Sequence, residues 1–201
     1  MLQHKTKSEA RPDGRRTRGE DNRRKIVGAL LKLVEGGGVS PSAEEVAARA
    51  GVGLRTVFRH FADMESLYAA ISERMTAEIR PIIERPFESN DWQGRLGELI
   101  ERRAQVFERL LPFKIAGDAH RHGSTFLTGE HKALVKVQRD ALRRALSPRV
   151  ADDKPRFEAL DLALSFDSWR RLRSDQGLSV RDARAAVRLA AEALTSSEPG
   201  R

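Results

Sequence analysis

Apolar residues recur along most of this chain at spacings of three and four, the period that lines one face of an α-helix. Ile26, Val27, Leu30, Leu31 and Val34 form the first stripe and predict a helix over 21–35, stopped by Gly36-Gly37-Gly38. Leu67, Ile71, Met75 and Ile79 predict another, capped by Asp63 and running to about Arg80. Pro81 limits it, because the residue before a proline disfavours the α region. Trp92, Leu96, Leu99, Ile100, Phe107 and Leu110 predict a helix over 91–111 that Pro112 breaks, with a short helix over 113–120. Leu134, Val135, Ala141, Leu142 and Ala145 mark one over 128–146, followed by a loop over 147–153. The stretch 155–175 has apolar groups on two sides: Phe157, Leu160 and Leu164 on one, Leu162, Phe166 and Trp169 nearer the other. A helix of that kind is buried on two sides. Ser179 caps a last helix over 180–194, with Ala183, Val187, Ala190 and Leu194 in line. No run of β-branched residues suggests a sheet, so the fold class is all-α.

The stretch 42–61 reads as two short helices joined by a tight turn. Ser42 with Glu45 three residues on is a capping box, and Val46 and Ala47 give the first helix its inner face. Gly51-Val52-Gly53 supplies the turn, since glycine reaches positive φ without steric cost. In the second helix Leu54, Val57, Phe58 and Phe61 are expected inward or near the joint, which leaves Arg55, Thr56, Arg59 and His60 projecting. A basic, hydrogen-bonding helix braced across a glycine turn fits a helix-turn-helix that enters a DNA major groove. An ordinary helical hairpin with a solvated basic face fits the same pattern.

Charge extends this picture. The 201 residues carry a formal net charge of +8, which favours a polyanionic partner. Residues 1–20 have almost no apolar side chains and are expected to be a disordered basic arm that lies on phosphates or in a minor groove. A solubilising tail or a misassigned start fits that stretch as well. The absence of cysteine excludes disulfides and thiolate chemistry. No stretch approaches the roughly 18 apolar residues of a membrane span, and the polar N-terminus does not read as a secretory signal, so a cytoplasmic location is expected. His120, His122 and His131 are the one ligand-like cluster. No phosphate loop or nucleophile motif accompanies them, so neither an enzyme, a metal site nor a cofactor is expected.

Taken together, the helix around Ile26, Gly36–Gly38, EEVAARAGV over 44–52, RTVFRHF over 55–61 and ESLYAAI over 65–71 resemble the TetR family of transcriptional regulators. FDSWRRLRSDQGLS over 166–179, just before the last helix, resembles the family in its placement. The resemblance implies a DNA-binding domain over 21–80, a helical effector-binding and dimerisation domain over 81–195, and a disordered tail over 196–201. It further implies a homodimer, formed through the helices at 155–175 and 180–194, that represses by binding a palindromic double-stranded DNA operator. Base reading would fall to Arg55 and in part to Arg59, with Ser42, Thr56 and His60 on phosphates and Phe58 against a sugar or thymine methyl. Two positions depart from the pattern: Phe58 stands where the family usually has tyrosine and Met64 where it usually has lysine, each a phosphate contact.

The resemblance also implies a small-molecule effector. Arg103 and Gln138 fall on otherwise apolar stripes, which places a pocket near Arg103, Phe107, Gln138 and Trp169. An internal ion pair of Arg103 with Asp161 explains the same polar residues without a ligand. A DNA-binding protein of architectural type, with no effector, is the alternative function.

Overall fold

The computed structural model describes residues 14–121 and 123–196, and among these residues every regular element is helical. Helix α1 (Gly14–Glu35) buries Ile26, Val27, Leu30, Leu31 and Val34, the stripe expected of it. It begins at Gly14, so residues 14–20 of the expected arm are helical, while residues 1–13 lie outside the described residues. The helix ends where Gly37 adopts φ 92° and the Gly38 amide donates to the Leu33 carbonyl.

Helix α2 (Ala43–Ala50) starts at the expected capping box: the Ser42 hydroxyl accepts from the Glu45 amide at 3.2 Å, and the Ser42 amide donates to Glu45 Oε2 at 2.7 Å. Gly51 closes it with φ 67°, a backbone region in which a side chain is strained. Helix α3 (Leu54–His60) packs back on α1 and α2 through Val57 and, just after its end, Phe61. Arg23 of α1 lies 5.1 Å above the Phe61 ring and helps hold this joint.

Helix α4 (Met64–Ile83) is capped by Asp63 and leaves the three-helix unit to pack against α5 (Trp92–Arg121) and α6 (Thr125–Ala145). Both proline expectations fail. Pro81 lies inside the last turn of α4, and Pro112 lies inside a continuous α5 of 30 residues. An interior proline costs about 3 kcal/mol. Continuing α4 buries Ile82 beyond Pro81, in line with Ile79, and continuing α5 buries Ala116 and half-buries Phe113 and Ile115 beyond Pro112. Burial of Ile82 contributes roughly 1.5–3 kcal/mol, and the partial burial of Phe113 and Ile115 acts in the same direction in α5, offsetting the lost hydrogen bonds.

The expected loop over 147–153 contains α7 (Pro148–Asp152), capped by Ser147, which buries Val150 and Ala151. The single helix expected over 155–175 is two. Helix α8 (Lys154–Ala163) stops at Leu164, and Ser165 caps α9 (Phe166–Arg170), which runs on into a π-helical turn at Arg171–Asp175. Gly177 at φ 67° precedes α10 (Val180–Thr195), which packs on α5 and α8. Of the expected C-terminal tail, residues 197–201 lie outside the described residues.

Candidate DNA interface and effector cavity

Helix α3 is exposed along one side. Arg55, Phe58 and Arg59 are exposed on one side of the helix, while Val57 on the opposite side is buried. Phe58 is 50% exposed and Leu54 36% exposed, so neither packs inward as the periodicity suggested. The reason is length: a helix of seven residues has room for one inward ridge, and Val57 with Phe61 fills it. The exposed ring of Phe58 lies on the same short helix as Arg55 and Arg59, at a position suited to a sugar or methyl contact. Thr56 is half-buried. Ser42 is exposed, its hydroxyl oxygen already accepting the cap hydrogen bond, and its O–H remains able to donate.

His60 does not project as expected. Its ring is half-buried and faces α1, within 4 Å of the place a side chain on Gly19 would take, and its Nε2 is buried without a partner. Desolvation first, then the charges of Arg59 and Arg23, lower its pKa below 6.5. A histidine whose folded pKa is depressed contributes stability that is present above the unfolded value and is lost as pH falls through the folded one. His60→Gln is therefore expected to flatten the decline in thermal midpoint between about pH 7 and 5, as followed by circular dichroism.

Met64 is the first residue of α4 and is half-buried against the core. Two polar contacts tie α4 to α6. Glu65 Oε1 accepts from the Ser124 hydroxyl at 2.6 Å and from the Phe126 amide at 3.3 Å, and the Ser72 hydroxyl donates to Glu130 Oε2 at 2.6 Å. Nothing in the sequence pattern pointed to these pairs, because the partners lie 58 to 61 residues apart.

A cavity of about 610 Å3 lies between the end of α4, the segment 84–87, α5 and α6. Arg103, Phe107 and Gln138 line it, as expected from their places on apolar stripes. Trp169 stands behind this wall: its ring is 6.4 Å from that of Phe107, and its Nε1 donates to Glu108 at 2.8 Å. Burial opposes ionisation of Glu108, but hydrogen bonds from Arg173 and Trp169 outweigh it and hold the carboxyl below its usual range.

Arg103 is buried and makes no ion pair with Asp161. Asp161 pairs instead with Arg139 at 2.7 Å, in a cluster that includes Glu158. Arg103 Nη1 donates to the Leu164 carbonyl at 2.7 Å, and Nη2 donates to the Gln138 carbonyl at 2.6 Å. The Gln138 side-chain oxygen accepts from the Phe166 amide at 3.2 Å. The bonds to the Leu164 carbonyl and from the Phe166 amide satisfy backbone groups freed where α8 ends and α9 begins, while the bond to the Gln138 carbonyl ties Arg103 to α6. Burial pushes the Arg103 pKa down to about 10, with the field of Asp161 opposing, so the group stays charged at neutral pH.

A second cavity of about 360 Å3, not foreseen in the sequence, lies between α4, α5 and α6 and is lined by Tyr68, Ile71, Met75, Phe113 and Leu127 among others. It shares Ile83, Glu84, Leu134 and Val137 with the first. Of the histidine cluster, His122 lies outside the described residues. Among the described residues, no three metal-ligating side chains come together.

Residues 26–71 match the family model for bacterial regulatory proteins of the TetR family. The segment from α1 into α4 thus has the signature of the TetR helix-turn-helix unit. The whole fold is also shared. A TetR-family transcriptional regulator from Mesorhizobium loti superposes with a TM-score of 0.62 at 16% identity, covering 89% of this chain and 97% of that one. A transcriptional regulator from a Rhodococcus species gives 0.65 at 15% identity, covering 87% and 96%. One from Streptomyces coelicolor gives 0.59 at 19%, covering 88% and 99%. No curated protein matches the chain. The matched segment is the DNA-binding part of bacterial transcriptional regulators, which are not enzymes. Among the described residues, no helix is long and apolar enough to cross a membrane.

Proposed function

We propose that the chain is a cytoplasmic repressor that binds a palindromic DNA operator as a homodimer and is released by a small molecule. The observation that carries this reading is the outward face of α3, where Arg55, Phe58 and Arg59 stand exposed on a helix anchored by Val57 and Phe61. Arg55 reads a guanine through paired hydrogen bonds, Arg59 adds a base or phosphate contact, Phe58 packs on the sugar edge, and Ser42 and Thr56 meet phosphates. His60 takes part through the fit of α3 on α1. The DNA-binding unit comprises residues 21–80 with its helix-turn-helix over 42–61, and residues 81–195 form the effector and dimer region.

Two exposed leucines support the dimer. Leu162 on α8 is 69% exposed and Leu189 on α10 is 68% exposed, on the two helices assigned to the interface. In the dimer they meet their symmetry mates. The effector enters the cavity lined by Arg103, Phe107 and Gln138, with Trp169 supporting its wall. Because this cavity reaches Ile83 and Glu84 at the end of α4, a bound molecule bears on the helix that leads to the DNA-binding unit.

A gel-shift against selected DNA, repeated with a panel of small molecules, tests this reading. Sequence-specific binding released by one compound class supports it. Binding that follows salt but ignores sequence favours the architectural alternative.

Met64→Lys places a cation at the start of α4, where family members usually carry one, with loss of part of a half-buried packing contact. It is expected to tighten DNA binding and to steepen the plot of log affinity against log salt by about one unit. Titrations by fluorescence anisotropy at several salt concentrations check this. An unchanged slope would show that position 64 does not face the DNA backbone.

A further inference from the structure

We propose that the larger cavity takes an amphipathic anion, an apolar body bearing one carboxylate, with Arg103 as the group that selects the charge. The proposal rests on the reading of this cavity as the effector site and deepens it.

The two adjoining cavities differ in the sign of their linings. Around the smaller one, Arg80 and Lys114 are outnumbered by Glu84, Asp118 and Glu130. Around the larger one, Arg85, Arg102, Arg103 and Arg144 face a single carboxylate, Glu84. The remaining wall of the larger cavity is mostly apolar, with Leu99, Val106, Phe107, Leu134 and Ala141. Arg102 is committed elsewhere: it donates to the carbonyls of Arg85 and Pro86 and pairs with Glu98 at 3.0 Å, which shapes the segment joining α4 to α5. Arg85 and Arg144 are exposed at the rim.

Arg103 is different. It is 6% exposed, both its hydrogen-bonded partners are neutral carbonyls, and its Nε has no partner. A buried guanidinium without a contacting carboxylate is costly, and an entering anion relieves that cost. Charge-assisted pairing of guanidinium with carboxylate is about twice as strong as a neutral hydrogen bond. Desolvation between apolar walls strengthens it further. A neutral ligand of the same shape has no such gain, and a cation meets the like charges of Arg85, Arg103 and Arg144. The volume of about 610 Å3 lies within the usual range for a drug-sized molecule.

Decanoate, decan-1-ol and decylamine have the same apolar chain and differ in head-group charge, so isothermal titration of each into the full-length protein at pH 7 tests the proposal. Decanoate is expected to bind at least about tenfold more tightly than decanol, and decylamine more weakly than either. Arg103→Met is expected to remove the preference for decanoate over decanol. Should that variant fail to fold, the exposed double variant Arg85→Glu/Arg144→Glu is expected to weaken decanoate several-fold while leaving decanol unchanged. Equal binding of all three compounds, or the tightest binding by decylamine, would overturn the anion assignment and leave the effector site standing. Absence of binding by any of the three would overturn both.

Discussion

Replacing Arg55 with alanine is expected to weaken binding to the preferred operator by about 1–3 kcal/mol, roughly 5- to 150-fold, and to relax base choice at one position of each half-site. Arg55 lies in the first turn of α3, the end of a recognition helix that meets base edges. Its guanidinium matches the paired acceptors of guanine. The fold does not depend on it, because the helix is fixed by Val57, Phe61 and the cation over the Phe61 ring. Thermal stability is therefore expected to stay within about 0.5 kcal/mol of the parent, as for other exposed positions. Anisotropy titrations on the operator and on a scrambled duplex at one salt concentration separate the possible roles of the residue. A loss confined to the operator marks base reading. An equal loss on both duplexes, with a salt slope lower by about one, marks a phosphate contact instead.

The second large effect is expected at the dimer face. Leu162→Glu combined with Leu189→Glu places two charges on each subunit where the proposed interface is apolar. Neither leucine is buried within one chain, so the subunit is expected to keep its helical circular dichroism. Its sedimentation is expected to fall to that of a single chain. Operator affinity is expected to drop by about 100-fold or more, since two half-sites held by one dimer gain from effective concentration and two separate monomers do not. Retention of both dimer and affinity would place the interface elsewhere.

The elements that local chemistry defines were the most legible in the sequence. Helices α2 and α3 have the expected bounds because a capping box, a left-handed glycine and a second glycine fix three of their four ends within a few residues. The prolines misled for the opposite reason. Whether Pro81 or Pro112 stops a helix depends on the apolar groups beyond it finding a core, and that is a tertiary fact. The division of 155–175 into α8 and α9 is likewise set from a distance, by Arg103 and Gln138 holding backbone groups 61 and 28 residues away. Those two residues stood out as polar groups on apolar stripes. The pattern identified them as special and suggested Asp161 as the partner of Arg103, whereas backbone carbonyls take that place and Asp161 pairs with Arg139.

On the outward face of α3, the exposure of Arg55 and Arg59 was readable from helical period alone. Phe58 and His60 were exchanged: the aromatic expected inward is exposed, and the imidazole expected outward leans on α1. A seven-residue helix is too short for its period to separate inner from outer positions at the edge of the stripe. The smaller cavity and the Glu65–Ser124 contact were not legible, since each forms only when α4, α5 and α6 meet.

The central claim, a symmetric reader of DNA built on α3, is tested most directly by selecting bound duplexes from a random pool with the full-length protein. An enriched palindrome is expected, its half-sites spaced for two recognition helices on one face of the duplex, with the preference at one position of each half-site lost in Arg55→Ala. Recovery of unrelated sequences, or of a motif without two-fold symmetry that Arg55→Ala leaves unchanged, would contradict it.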